Sequence, residues 1–384
     1  MNLKPFRKVL VGCAAALTAA GIAFGGMTSA SADPISPTGP RVINVYGSDT
    51  LQDAINGVAN VATDGVNGKY LASWDAGSVA APISPAPNGS GAGVTALKLA
   101  LQGDAAYVNK VQGARSSSAP SATDPAGELQ YVPLARDAVT YATAATSVVP
   151  DGIPLEHTSG SNELSLKRIF SCAPGSFTFG GKNYHTVGNP SGSIKLEPVR
   201  LQSGSGTRSF WEGAAVTGAP GACVTGAAQE HRGEVLLGKP NALVPFSISQ
   251  WIAQSNTGAA DQNDSTGYIA GTPVQDRRFG AKLKSVGAGP TAAPTVEVDG
   301  IELQNPGFLP ALTRDVFNVI PTAAVGDTSN NVNRLLNKAF VGANADSLIA
   351  EYDGQRVLEL FGFSMDLKGN YNAGDTPLDL RVKI

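Results

Sequence analysis

The feature that most restricts this chain is one device used three times: an extended segment, a turn of glycine and small hydroxylated residues, then apolar residues at helical spacing. In the first copy, Val42-Ile43-Asn44-Val45-Tyr46 leads through Gly47-Ser48-Asp49-Thr50 to Leu51, Ala54, Ile55, Val58 and Ala59. Ser48 or Asp49 can cap that helix. The second copy runs from the stiff Pro82–Pro87 link through Asn88-Gly89-Ser90-Gly91-Ala92-Gly93 into Val94, Leu97 and Leu101. The third joins Ile194–Val199 through Ser203-Gly204-Ser205-Gly206-Thr207 to Phe210–Val216. Small residues at a helix start leave backbone N–H groups open, and hydroxyls add donors that carry no charge. One such turn is equally an ordinary loop; three together strengthen the reading as an anion cradle. Short strands alternating with helices predict an α/β fold with mostly parallel sheets.

The chain has 384 residues, 42% hydrophobic and 15% charged, enough for one large or two medium domains with their own cores. Lys4, Arg7 and Lys8 precede a nearly apolar run, Val9–Met27, and Ala30-Ser31-Ala32 supplies a cleavage site, so residues 1–32 read as a secretory signal peptide. The mature protein is therefore expected outside the cytoplasmic membrane, secreted or held at the envelope. Leu10-Val11-Gly12-Cys13 imitates a lipoprotein cleavage site, but too little apolar sequence precedes Cys13 for lipidation to be expected. Removing the signal's three basic residues takes the formal net charge from −3 to −6. That balance argues against nucleic acid or an anionic membrane as partner. Cys172 and Cys223 then remain, and an oxidising location predicts one disulfide between them.

Leu129–Ala142 and Leu312–Pro321 read as two long extended stretches, with Pro133 tolerable at an edge or a crossing. Ala105–Val108 reads as a short strand followed by a loop over Arg115–Pro120. Leu166–Phe170 reads as a helix capped by Ser161 or Asn162. Val332, Leu335, Leu336, Ala339 and Phe340 form a helical face behind Asp327–Asn330, and Leu358–Phe363 joins a further helix. His157, His185 and His231 have no metal-binding spacing and read as structural or surface residues. Asp261, Asn263 and Asp264 lack the ligand spacing of a calcium loop. The tryptophans Trp74, Trp211 and Trp251 read as core anchors. No nucleophile elbow, P-loop or dinucleotide fingerprint is present, so neither enzyme activity nor a cofactor is expected.

In chain order, Gly47–Leu51, Gly89–Gly93, Val132–Val139, Leu166–Phe170, Gly204–Thr207 with Phe210, and Leu312–Pro321 resemble the phosphate-binding, PstS-like group of type 2 periplasmic-binding-fold proteins. The likeness is to the form secreted by high-GC Gram-positive bacteria and covers most of residues 42 to about 325. It implies an α/β, two-lobe type 2 periplasmic-binding-protein fold with mixed, mostly parallel sheets. The crossings between lobes would be Val132–Ala142 and Leu312–Ile320. Lobe one would comprise residues 40–135 plus 313–384, and lobe two residues 136–312. It further implies a monomer that takes phosphate or a related small oxyanion to an ABC permease. Thr50, the Leu51 backbone and Ser90 would meet the ligand from one lobe, with Ser117 or Ser118 in the following loop. Ser205, Gly206 and Thr207 would meet it from the other.

The chain also departs from that family's pattern. Leu201 stands where many phosphate binders place an arginine, Ser203 where that arginine has its acidic partner, and Ser117 or Ser118 where an acid accepts the phosphate proton. Either Arg115, Arg200 or Arg208 supplies the charge, or the ligand is not phosphate. Asp49, Arg136 and Asp137 could face the cleft or make an ordinary ion pair. Without the acid, discrimination between phosphate and sulfate weakens. The competing expectation is a secreted surface or adhesion module that keeps the fold without a transport role.

Overall fold

The computed structural model describes residues 41–120, 127–216, 219–256, 266–298 and 300–368. The expected signal peptide, Cys13 and the Asp261–Asp264 cluster lie outside them. Nine strands form one long sheet: β1 (Ile43–Gly47), β2 (Leu71–Ser73), β3 (Gly113–Ser116), β4 (Leu129–Thr143), β5 (Glu197–Leu201), β6 (Thr225–Ala228), β7 (Ala242–Ser247), β8 (Lys282–Leu283) and β9 (Thr313–Pro321). Six helices matter to the site: α1 (Asp49–Val61), α2 (Ser90–Leu101), α3 (Leu166–Phe170), α4 (Gly206–Ala215), α5 (Ile248–Asn256) and α6 (Asn331–Phe340).

The strand order is β2-β1-β3-β9-β4-β7-β5-β6, with β8 also on β4. At one end β2, β1 and β3 run parallel, and at the other β7, β5 and β6 do. Between them β9 is antiparallel to both β3 and β4, and β7 is antiparallel to β4. Parallel strands buried on both faces read as continuous apolar runs, and all five residues of β1 are buried.

Strand β4 belongs to both halves. Its residues from Leu129 to Ala138 pair with β9, and those from Val139 to Thr143 pair with β7. The register slips between Val316 and Phe317, where Ala135 and Pro133 are the successive partners and Leu134 is the extra residue. Proline has no N–H for the ladder, and a bulge is where a strand tolerates it.

Each half has its own core on both faces of its sheet. On β9, Val316 and Ile320 join Ile43, Leu51, Ile55, Leu335 and Phe361 on one face, while Phe317 and Val319 join Tyr46, Leu97 and Tyr131 on the other. On β7, Leu243 packs with Tyr141, Trp211 and Ile248, whereas Val244 and Phe246 pack with Leu201 and Trp251. This is the period-two alternation of a strand covered on both sides. With a separate core at each end and an extended pair between them, the chain adopts the two-lobe α/β architecture of a type 2 periplasmic-binding fold. Among the described residues no helix is long and apolar enough to cross a membrane.

Local readings fared unevenly. Ser165, not Ser161 or Asn162, caps α3, accepting a hydrogen bond from Arg168 N, and Asn330 caps α6 through Asn333 N. Ala105–Val108 is not a strand but a turn, folded back through Tyr107 and Val108 N–H bonds to Asp104 O. The strand is Gly113–Ser116, inside what reads as a loop, and Val357–Leu360 is a short helix.

Cys172 and Cys223 form the expected disulfide, with Cα atoms 5.7 Å apart and 51 positions between them in sequence. Closing a loop of that length restricts the unfolded chain by about 4 kcal/mol. The double substitution Cys172→Ser with Cys223→Ser should lower unfolding free energy toward that figure in a urea titration, and a loss under about 1 kcal/mol would contradict it.

Candidate oxyanion site between the lobes

Thr50 lies in the first turn of α1, Ser90 opens α2, Ser117 and Ser118 follow β3, and Gly206 and Thr207 open α4. These helix starts face one another. Thr50 Oγ1 is 3.3 Å from Thr207 Oγ1, although the two residues are 157 positions apart. Ser90 Oγ is 3.2 Å from Ser117 Oγ and accepts a hydrogen bond from Ser117 N at 3.1 Å. A methyl group added to Gly206 would stand 2.3 Å from Ser117 Oγ, 2.6 Å from Ser90 Oγ and 2.9 Å from Ser118 Oγ. Only a residue without Cβ lets α4 approach those hydroxyls. The lobes also touch through backbone: Gly91 N donates to Gly204 O, and Gly89, at φ +90°, leaves no room for a side chain against that carbonyl.

Ser205 and Leu51 contribute differently from expectation. The Ser205 hydroxyl caps α4 by accepting from Arg208 N at 2.9 Å, and Leu51 N–H donates to Ser48 O within the first turn while its side chain is core.

None of the three expected charge partners reaches this point. Arg115 is fully buried, but its guanidinium donates to Val45 O, Ser48 O, Trp74 O and Ser73 Oγ, tying together the ends of β1 and β2. Burial lowers its pKa to about 10. Arg200 pairs with Glu212 at 2.7 Å, and Arg208 pairs with the same carboxylate and donates to Leu201 O.

The cation is Arg314, from β9. Its Nη2 donates to Thr207 Oγ1 at 2.8 Å, to Thr50 Oγ1 at 3.2 Å and to Asp137 Oδ2 at 2.9 Å. Arg314 and Asp137 are direct cross-strand partners on β9 and β4, so the pair sits where β4 passes from one half to the other. Asp137 is fully buried, and its Oδ1 accepts from the hydroxyls of Ser247 and Ser249 and from Ser249 N at the start of α5. Both oxygens of this buried carboxylate thus have hydrogen-bond donors. Arg314 Nη1 is buried with no hydrogen-bond partner, as is Ser48 Oγ beside Thr50. Both are orphaned donors.

Two further residues meet the same hydroxyls. His231 Nε2 is 3.2 Å from Thr50 Oγ1, and His231 is held at φ +62°, a left-handed conformation that histidine adopts more readily than most residues. Its neighbour Glu230 is buried, with Oε2 at 3.3 Å from His231 Nε2, close enough for ion pairing but misaligned for a hydrogen bond. Burial alone would push the Glu230 carboxyl up; His231, Thr207 and the charge of Arg314 outweigh it and hold its pKa below the usual glutamate value. Reading the histidines as structural or surface residues missed His231. The arginine was legible in principle, because a charge inside the apolar run Leu312–Pro321 has to be buried or paired.

Asp137→Asn should remove 3–5 kcal/mol of stability, about the effect of breaking a buried ion pair; a loss near zero in denaturant unfolding would show that Arg314 needs no counter-charge. Because the folded pKa of Glu230 is depressed, its contribution is complete above the unfolded glutamate range and is lost as pH falls through the folded value. Glu230→Gln should therefore flatten the acid side of the stability–pH curve, and an unchanged slope would refute that.

No protein-family model matches the chain, and no curated protein matches it. Among solved structures it is similar to an ABC-type phosphate transport receptor from Vibrio cholerae, at 14% identity and a TM-score of 0.47, over 84% of this chain and 100% of that one. It is similar to PfluDING, a high-affinity periplasmic phosphate-binding protein bound with phosphate, at 13% identity and a TM-score of 0.45, over 85% and 91% of the two chains. It is similar to PstS from Borrelia burgdorferi at 13% identity and a TM-score of 0.41, over 85% and 99%. In each case the likeness spans most of both chains and is one of fold.

Proposed function

We propose that the protein is an extracytoplasmic solute-binding protein whose lobes close on phosphate or a related small oxyanion, which it presents to an ABC importer. The observation that carries this reading is the meeting of Thr50, Ser90 and Thr207, from three helix starts, with the orphaned Nη1 of Arg314. Neutral hydroxyls and helix-start N–H groups approach a phosphoryl oxygen without a counter-charge of their own, and Arg314 adds one positive charge whose counter-charge is Asp137. The contacts between Gly89, Gly91 and Gly204 describe closed lobes. A tetrahedral ion must enter when they part, and closure then strengthens each bond by excluding water. The phosphate-transport and phosphate-binding descriptions of the fold neighbours agree with this reading.

One observation favours the alternative of a secreted surface module without transport. Glu230, an acidic group of the protein itself, already lies beside His231 and Thr207 and within the field of Arg314, so an incoming anion has to displace or join it. Serine at positions 117 and 118, in place of an acid, also leaves the site without a group that demands a protonated ligand.

Calorimetric titration of phosphate, sulfate and a phosphate monoester into protein stripped of ligand by unfolding and refolding should give heat with at least one of them. Thr207→Ala and Arg314→Gln should each weaken that binding by about 1–3 kcal/mol. No heat with any of the three, together with unchanged phosphate uptake in cells lacking the protein, would replace this reading with the surface module.

A further inference from the structure

A cavity of about 430 Å³ adjoins the cradle, with Asp49, Glu230 and His231 in its lining. Its wall on one side is the polar stripe of α1 and the segment after β2; on the other it is the Gln229–Arg232 turn, α5 and Arg277. Ser90, Ser117, Ser118 and Thr207 do not line it. The size matches sites for small organic ligands and far exceeds an inorganic ion.

Its chemistry is unlike that of the cradle. Asp49, Asp53, Asp75 and Glu230 face two guanidiniums, Arg232 and Arg277, with His231 beside them. Asp49 and Asp53 are each 5% exposed, and in each the Oδ1 oxygen has no hydrogen-bond partner. Buried acceptors left without donors are costly to a fold. Oδ2 of Asp49 is satisfied within the protein, by Gln229 Nε2 at 2.6 Å. Burial raises both carboxyls above the usual aspartate value; Glu230 raises Asp49 further, and Arg277 opposes the rise in both. An incoming ammonium group would supply N–H donors to both unpartnered oxygens and add positive charge beside four carboxyl groups that face two guanidiniums.

The lining narrows the class of cation. It contains no Phe, Tyr or Trp, so it offers no cage for a quaternary ammonium group. Among the described residues no group of three or more His, Cys, Asp or Glu comes together as metal ligands. Amide groups of Gln250, Gln254 and Gln275 add neutral donors and acceptors around the carboxylates, as a polar organic body requires.

We propose that this cavity is a second binding site, for a small polar organic solute bearing a primary or secondary ammonium group, with Asp49 and Asp53 as its acceptors. The cavity shares Glu230 and His231 with the cradle, but its acceptors Asp49 and Asp53 are not cradle residues, so the proposal stands whether or not the cradle takes phosphate.

The test is calorimetry on the full chain with ethanolamine, putrescine and spermidine, with ethylene glycol and 1,4-butanediol as uncharged controls and inorganic phosphate in parallel. At least one amine should bind at millimolar concentration or tighter while the diols do not. Asp53→Asn and Asp49→Asn should each weaken the amine at least about tenfold, and Asp53→Asn should leave the phosphate response unchanged. Binding of no amine, equal binding of amine and diol, or an amine affinity unaltered in both variants would overturn the proposal. If a variant fails to fold, the wild-type comparison of putrescine with 1,4-butanediol decides the matter alone.

Discussion

The structure depends on one buried ion pair. Asp137 and Arg314 face each other across β4 and β9, the strands that carry the chain between its halves, and both side chains are withdrawn from water. Alone, either charge would be untenable there. Together they are anchored by the start of α5 on one side and turned toward the starts of α1 and α4 on the other. The pair thus orients an arginine toward the helix starts and links the two halves of the sheet.

The general outline was legible because its signals are local. Glycine and small hydroxyls between an extended segment and a helical stripe mark a helix start whatever the rest of the chain does, and Thr50, Ser90, Gly206 and Thr207 do come together. What failed was whatever depends on register. Arg314 and Asp137 are 177 positions apart, and nothing in either neighbourhood says which residue will lie opposite. Arg115 stands in a Gly-Ala-Arg-Ser stretch of weak strand propensity, so it read as loop and as a free charge, whereas strand pairing to β1 buries it completely. Ala105–Val108 erred the other way: four residues apolar enough for a strand, with no neighbouring strand to cover them. His231 gave no signal, since a histidine after a short exposed strand becomes a site residue only through its left-handed turn.

Helix α1 shows how far burial can depart from hydrophobicity. Asp49 through Ala59 are all buried, and the polar residues Asp49, Gln52, Asp53 and Asn56 fall on one stripe. On a surface helix that stripe would face solvent. Here it faces the other lobe, where Gln250 Nε2 donates to the carbonyls of Asp49 and Thr50. Both side-chain polar atoms of Asn56 lack partners. An interface built from amides and carboxylates tolerates water when it parts, as an apolar interface does not.

The sharing of β4 between both halves has a mechanical consequence. Two antiparallel strands hydrogen-bonded side by side resist sliding, because every ladder bond would break at once, but they accept changes in twist, which is larger and more variable in two-stranded ribbons than in wide sheets. With β4 and β9 as the connection, a change of twist along β4 would turn one half relative to the other. Asp137 and Arg314 sit where β4 changes partners, so the charge pair belongs to the short segment that both halves share.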